Sequence, residues 1–129
     1  MHRSRIGVVL IDHPAERFDA AADFWAAAQG TPRQEKRATA EHPYEELRPF
    51  EGGVQLALQR TGSGTAPRVH LDIETDDVDA EIARVVGLGA EVVERHESYA
   101  ILQDPGGHVF CVVPVQTGED FDRHATTWP

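Results

Sequence analysis

Apolar and polar positions alternate along this chain in two rhythms, and the order in which the rhythms appear is repeated. Ile6 to Asp12 is a short apolar run rich in β-branched residues, bounded by polar residues and Pro14, the pattern of a buried strand. From Ala15 to Gln29 the period lengthens to that of a helix. Phe18, Ala22, Trp25 and Ala28 or Gln29 share one face, and Glu16, Arg17, Asp19 and Asp23 lie elsewhere. Pro14 suits the first turn, and Gly30 suits the left-handed position just past the end. Gln34 to Thr39 and Tyr44 to Phe50 are strand candidates separated by a turn-like stretch at residues 40–43. Gly52-Gly53 marks a turn, and Val54 to Gln59 alternates with the period of a half-buried strand.

Thr61 to Pro67, with Gly62, Ser63 and Gly64, reads as a flexible linker, and after it the order repeats. Arg68 to Glu74 alternates Val69, Leu71 and Ile73 with His70, Asp72 and Glu74, a strand. Asp76 or Asp77 caps a helix that lines Val78, Ile82 and Val85 on one face and closes at Leu88-Gly89. Glu91 to Arg95 and Ser98 to Gln103 are strand candidates. Asp104-Pro105-Gly106-Gly107 is a strong turn signal, and His108 to Val113 is a last strand ended by Pro114. The pattern predicts βαβββ over residues 5–60, a linker over 61–67, βαβββ over 68–114, and a polar tail over 115–129 whose only large aromatic groups are Phe121 and Trp128. Neither half is long enough to be comfortably stable alone, so the two should pair as one α+β domain spanning 1–129.

Composition narrows the partners. With 22 acidic against 12 basic residues the formal net charge is −10, and no basic patch offers itself to phosphates, so nucleic acid is excluded. No apolar run approaches the length that spans a bilayer, and Ile6 to Ile11 is too short for a secretory h-region. The single cysteine, Cys111, permits no intramolecular disulfide. A cytoplasmic protein is expected. The acidity serves solubility, and it also suits an acidic pocket that attracts a cationic ligand.

The second half carries a resemblance. Val69-His70-Leu71-Asp72-Ile73, Asp76-Asp77-Val78-Asp79-Ala80, Gly87-Leu88-Gly89-Ala90 and Asp104-Pro105-Gly106-Gly107-His108-Val109-Phe110-Cys111-Val112 resemble the vicinal oxygen chelate superfamily. The branch they resemble is its glyoxalase-like, bleomycin-resistance group, whose pattern reads HLD…DD…LGA…DPxGNxFCV. Phe24-Trp25 followed by Gly30 is similar to the helix end of that group's first module, and His108 stands where Asn is usual. The resemblance covers most of residues 6 to 114 and is weak over Gln34 to Phe50. It implies two βαβββ modules that together curl into a cupped, barrel-like mixed sheet with helices outside, commonly in a homodimer. It also implies that metal-using members place His or Gln on the first strand of each module and Glu on the last. The four converge on a divalent ion that acts as a Lewis acid.

Laid on this chain, those four positions read Val8, Ala57, His70 and Cys111. Val8 and Ala57 have no side-chain ligand, and a hard ion would find no carboxylate. His70 and Cys111 alone fall short of the three protein ligands a catalytic zinc needs, and nothing in the spacing of His13, His42 or His108 supplies a third. No metal and no cofactor are expected. The expected ligand pocket comprises His70, Cys111, Val8, Ala57, Tyr99 and Phe110, with Tyr44 and Phe50 as further wall candidates. Asp72 and Glu74 share a face with His70 and read as a solvent-facing rim pair.

Two functions from different classes fit. One is a metal-free binder of a small organic molecule held in the cup. The other is a lyase, isomerase or dioxygenase of the same superfamily with an altered site and His70 as the catalytic acid or base. A regulatory domain without turnover is a third. Fold resemblance does not choose among them.

Overall fold

The computed structural model describes residues 1–129. Eight strands and three α-helices succeed one another as β1 (His2–Pro14), α1 (Phe18–Ala28), β2 (Tyr44–Glu46), β3 (Gln55–Thr61), β4 (Arg68–Thr75), α2 (Val78–Gly87), β5 (Glu91–Arg95), β6 (Ala100–Gln103), β7 (Val109–Pro114), α3 (Glu119–His124) and β8 (Thr126–Trp128). A single 3-10 turn, Ala15–Arg17, leads from β1 into α1. All strands join one curled mixed sheet in the order β2-β3-β1-β4-β7-β6-β5, with β8 beside β1. The α+β class predicted from the pattern and the curled sheet that the resemblance implies are those observed.

The repeat is visible in the pairing. β1 lies parallel to β3 with Val8 beside Gln55 and Leu10 beside Ala57. β4 lies parallel to β7 with Asp72 beside Cys111. Overlaying β3 on β7 so that Ala57 meets Cys111 therefore sets Leu10 on Asp72, Val8 on His70 and Asp12 on Glu74. The two halves meet where β1 runs antiparallel to β4, with Leu10 opposite His70.

The halves are not equal. The second has four strands; the first has three, because Gln34 to Thr39 is not a strand. That stretch is strongly charged and lacks alternation, and it is held from the side. Arg33 donates to both oxygens of buried Glu45 at 2.8 Å and reaches Asp19 and Asp23 on α1 at 3.1 Å. The Ala38 amide donates to Glu45 Oε1 at 3.1 Å. Loop backbone thus bonds to a carboxylate instead of a sheet edge.

The helices α1 and α2 cover the convex side of the sheet. Phe18, Ala22 and Ala26 of α1 pack on Leu47, Leu56 and Leu58, with Trp25 half-buried at the margin. Val85 of α2 packs on Ala90, Ala100, Leu102 and Val112, with Val78, Ile82 and Phe110 alongside. Asp77 caps α2, accepting from the Ala80 amide at 3.0 Å. Its neighbours act elsewhere: Asp76 pairs with Arg3 and Asp79 with Arg95.

The tail is not the loose polar extension the sequence suggests. Phe121 is 1% exposed under the Arg3 guanidinium, and Trp128 donates its indole N–H to Ser4 Oγ at 2.9 Å while Arg84 stacks on its ring. Both aromatic groups are spent on their own chain. The reason is that β8 extends the sheet beside the start of β1 and brings Trp128 to Ser4, while α3 folds Phe121 against Arg3 of the same strand. The Gly-rich 61–67 segment is tied as well, through Gly64 N–H to Glu16 at 2.9 Å and the Thr61 hydroxyl to the His13 carbonyl at 3.0 Å.

Candidate functional site

The concave side of the sheet encloses a cavity of about 450 Å³, a size suited to a small organic ligand. Strand alternation decides its lining. Val8 and Leu10 enter from β1, Gln55, Ala57 and Gln59 from β3, His70 and Asp72 from β4, and Val109, Cys111 and Val113 from β7. Tyr44 and Glu46 stand on one flank, Tyr99 and Ile101 on the other. Of the six pocket residues expected from sequence, five line this cavity: Val8, Ala57, His70, Tyr99 and Cys111.

Phe110 does not. It neighbours Cys111 in β7, so alternation turns it to the convex side, where it joins the α2 core and an outer groove with Ile6, Val69, Leu71 and Ile73. Placing both neighbours in the pocket is incompatible with a period of two. Phe50 is half exposed and lies outside the cavity.

His70 is the polar centre. Its Nδ1 lies 3.0 Å from Asp12 Oδ2, and Asp12 is 1% exposed. A carboxylate only accepts, so Nδ1 carries the hydrogen, and in the neutral imidazole Nε2 is the nitrogen with the lone pair. Nε2 lies 3.8 Å from Asp72 Oδ1. Arg68 also donates to Asp12, at 3.2 Å. Sequence reasoning passed over Asp12, although its parity with Val8 and Leu10 puts it on the inner face.

Asp72 and Glu74 are not a solvent-facing rim pair; both are buried. Burial, reinforced by the charge of Asp12 and opposed by His70, pushes the Asp72 carboxyl from 3.8 up to about 6. Its Oδ1 is buried without a hydrogen-bond partner. Burial and the charge of Asp72 push the Cys111 thiol from 9.0 up to about 11, so at neutral pH it keeps its proton and is no unaided nucleophile.

Glu74 belongs to a different cluster. Its carboxylate accepts from Arg5 at 2.8 Å, from the amides of Gln116 and Thr117 at 2.8 and 2.9 Å, and from the Thr117 hydroxyl. This closes the tail end of the cup.

The superfamily's divalent ion can be tested against these groups. Val8 and Ala57 form a hydrocarbon patch with Leu10, so the four-ligand arrangement does not fit, and a hard ion has no carboxylate pair to bridge. Among softer arrangements one set stands out: His70, Asp72 and Cys111 offer ligand atoms within 4.8 Å of one another. His13, His42 and His108 take no part in it; His108 borders the outer groove.

Residues 8–113 match the family model of the Glyoxalase-like domain. No curated protein matches the chain in sequence. A methylmalonyl-CoA epimerase solved with methylmalonyl-CoA and NH4+ is similar in structure, with a TM-score of 0.56 and 21% identity over 87% of this chain and 94% of that one. Methylmalonyl-CoA epimerase from Mycobacterium tuberculosis gives 0.57 and 17% over 86% and 88%. A Mn(II)-bound glyoxalase from Novosphingobium aromaticivorans gives 0.57 and 21% over 88% of this chain and 40% of that one. These likenesses concern the fold.

Proposed function

The chain belongs to the glyoxalase-like domain family of the vicinal oxygen chelate superfamily, and on that premise we propose that it binds a small organic molecule in its cup without the superfamily's four-ligand metal centre. The observation that carries the reading is the cavity itself. Its floor is hydrocarbon from Val8, Leu10 and Ala57, at two of the four positions where ligands would stand. Above it His70 and Asp72 stand together on β4, polar groups suited to orienting a guest.

The guest is an amphipathic molecule with a cationic group. Asp72 and Glu46 face the cavity against one arginine, Arg68, and the rings of Tyr44 and Tyr99 flank it. Aromatic faces and carboxylates both favour a cation. The net charge of −10 works against polyanions such as the CoA esters bound by the epimerase neighbours. The test is a melting screen in the presence of a chelator, using amphipathic amines, their neutral isosteres and acyl-CoA esters. A ligand at 100 times its Kd adds about 2.7 kcal/mol of stability. The amines should raise Tm, and Tyr99→Ala should abolish the rise. A rise with acyl-CoA alone, or with none of the three, rejects the reading.

A second reading rests on the Asp12–His70 pair. A carboxylate that fixes the imidazole tautomer and leaves Nε2 facing a cavity is the arrangement of a general base. It would serve a lyase, isomerase or dioxygenase that removes a proton from its substrate. Turnover with any screening hit, lost in His70→Ala while the melting shift persists, would decide for it.

The reading includes a cytoplasmic homodimer. No helix is long and apolar enough to cross a membrane. Ile6, Val69 and Leu71 are exposed on the convex side beside Phe110. The exposed side chains of this stripe are apolar and Asp104 is the one carboxylate bordering the groove, so a second copy can cover it with little repulsion between two acidic chains. Light scattering should give twice the chain mass at micromolar concentration, and Leu71→Glu should give the monomer. A wild-type monomer refutes it.

A further inference from the structure

We propose that His70, Asp72 and Cys111 form a three-ligand zinc site built within the second repeat alone and oriented by Asp12. Parallel pairing puts Asp72 beside Cys111, and alternation puts His70 on the same face two residues earlier. Nε2 of His70 and Oδ1 of Asp72 are 3.8 Å apart. All three ligand atoms lie within 4.8 Å of one another. Two ligands on a tetrahedral zinc with bonds of about 2.0–2.3 Å stand roughly 3.3–3.8 Å apart, so small side-chain rotations close the set.

Two independent observations point to an ion. Asp72 lines the cavity with a side chain 9% exposed, and its Oδ1, buried beside His70 Nε2, has no hydrogen-bond partner. Such an atom is costly to bury unless something binds it. Asp12 holds Nδ1 of His70 at 3.0 Å, the carboxylate–histidine arrangement that orients imidazoles toward metals. Imidazole, thiolate and a single carboxylate favour zinc over magnesium or manganese. On binding, the Cys111 thiol proton passes to solvent and the thiolate and Asp72 carboxylate balance the ion's two charges. Val8 and Ala57 offer no fourth ligand, so the remaining position opens to the cavity.

This site needs ligands from one repeat, not from both, and it does not depend on the organic guest proposed above. The experiment uses the whole chain stripped with chelator and contains no organic ligand. Zn²⁺ binding is measured by equilibrium dialysis, and Co²⁺ serves as an optical probe. One equivalent should bind, and Co²⁺ should give the near-ultraviolet charge-transfer band of a thiolate ligand. Cys111→Ser should abolish the band. Asp72→Asn should weaken Zn²⁺ binding at least tenfold while the protein stays folded, and Asp12→Asn should weaken it 10–100-fold as an orienting residue does. Absence of one tight equivalent overturns the proposal. So does stoichiometric binding that Cys111→Ser and Asp72→Asn leave unchanged, which would place the ion on other histidines.

Discussion

Asp12 on β1 and His70 on β4 lie 58 residues apart in sequence and 3.0 Å apart in space, joining the two repeats across the floor of the cup. Leu10, not Asp12, is the direct cross-strand neighbour of His70, so the contact is a diagonal one on a shared face. It links repeat to repeat and also selects which imidazole nitrogen meets the cavity.

That selection can be measured. Asp12→Asn replaces an obligate acceptor with an amide that can donate or accept, so His70 should lose its single tautomer. Nitrogen NMR of the ring should show Nδ1–H alone in the wild type and a mixture in the variant. Stability should fall by about 1–3 kcal/mol, the cost of disrupting a buried charge-assisted bond. A variant that keeps the wild-type tautomer would mean that another group sets it.

Asp72 predicts a pH-dependent stability. Its folded value of about 6 lies above the unfolded 3.8. The unfolded chain therefore releases this proton first, and stability falls as pH rises from about 4 to 6, then levels. A difference of that size is worth on the order of 3 kcal/mol. Asp72→Asn in chelated protein should be more stable than the wild type by about 1–3 kcal/mol at pH 8 and equal to it at pH 4. Denaturation at the two pH values checks this. An equal gain at both would assign the effect to packing.

Gly7 and Glu74 should be coupled. A Cβ at Gly7 would lie 2.3 Å from Glu74 Oε2, and that oxygen is pinned by Arg5 and Thr117. Gly7→Ala should cost about 1–3 kcal/mol by overpacking. Glu74→Ala should cost about 3–5 kcal/mol because Arg5 is left buried and unpaired. In the double variant the Gly7→Ala cost should vanish, a non-additivity read from a denaturation cycle. The same carboxylate predicts acid sensitivity. Burial raises its pKa, but Thr117, Arg5 and two backbone amides outweigh burial and hold it below 4.5. Its contribution is present above the unfolded value and lost as pH falls through the folded one.

Cys111 faces the cavity and is only partly buried. Cys111→Phe should therefore fill the cup at little cost in stability and abolish binding of an amphipathic amine. A loss of about 1–3 kcal/mol, as for an overpacked core, would show that the position is closed and that the pocket reading of it is wrong. Melting curves with and without amine give both quantities.

Periodicity and turn chemistry were enough to determine the order of strands and helices everywhere but at Gln34 to Thr39 and in the tail, because each element buries one face and its sequence records which. Laying one repeat on the other also placed Val8 with His70 and Ala57 with Cys111, since parallel pairing preserves spacing. Three things came only from the tertiary structure. Gln34 to Thr39 is held through its Ala38 amide by Glu45, which Arg33 fixes beside α1, an arrangement invisible until the loop folded. Phe121 and Trp128 look free in a polar tail; only α3 folding onto β1 buries the first, and only β8 pairing with β1 brings the second to Ser4. Asp12 and Asp72 are ordinary strand carboxylates in sequence. The curl of the sheet buries both, sets Asp12 on His70 and leaves Asp72 with an unpartnered oxygen. Burial and diagonal contact depend on register between strands far apart in the chain, and no local pattern encodes register.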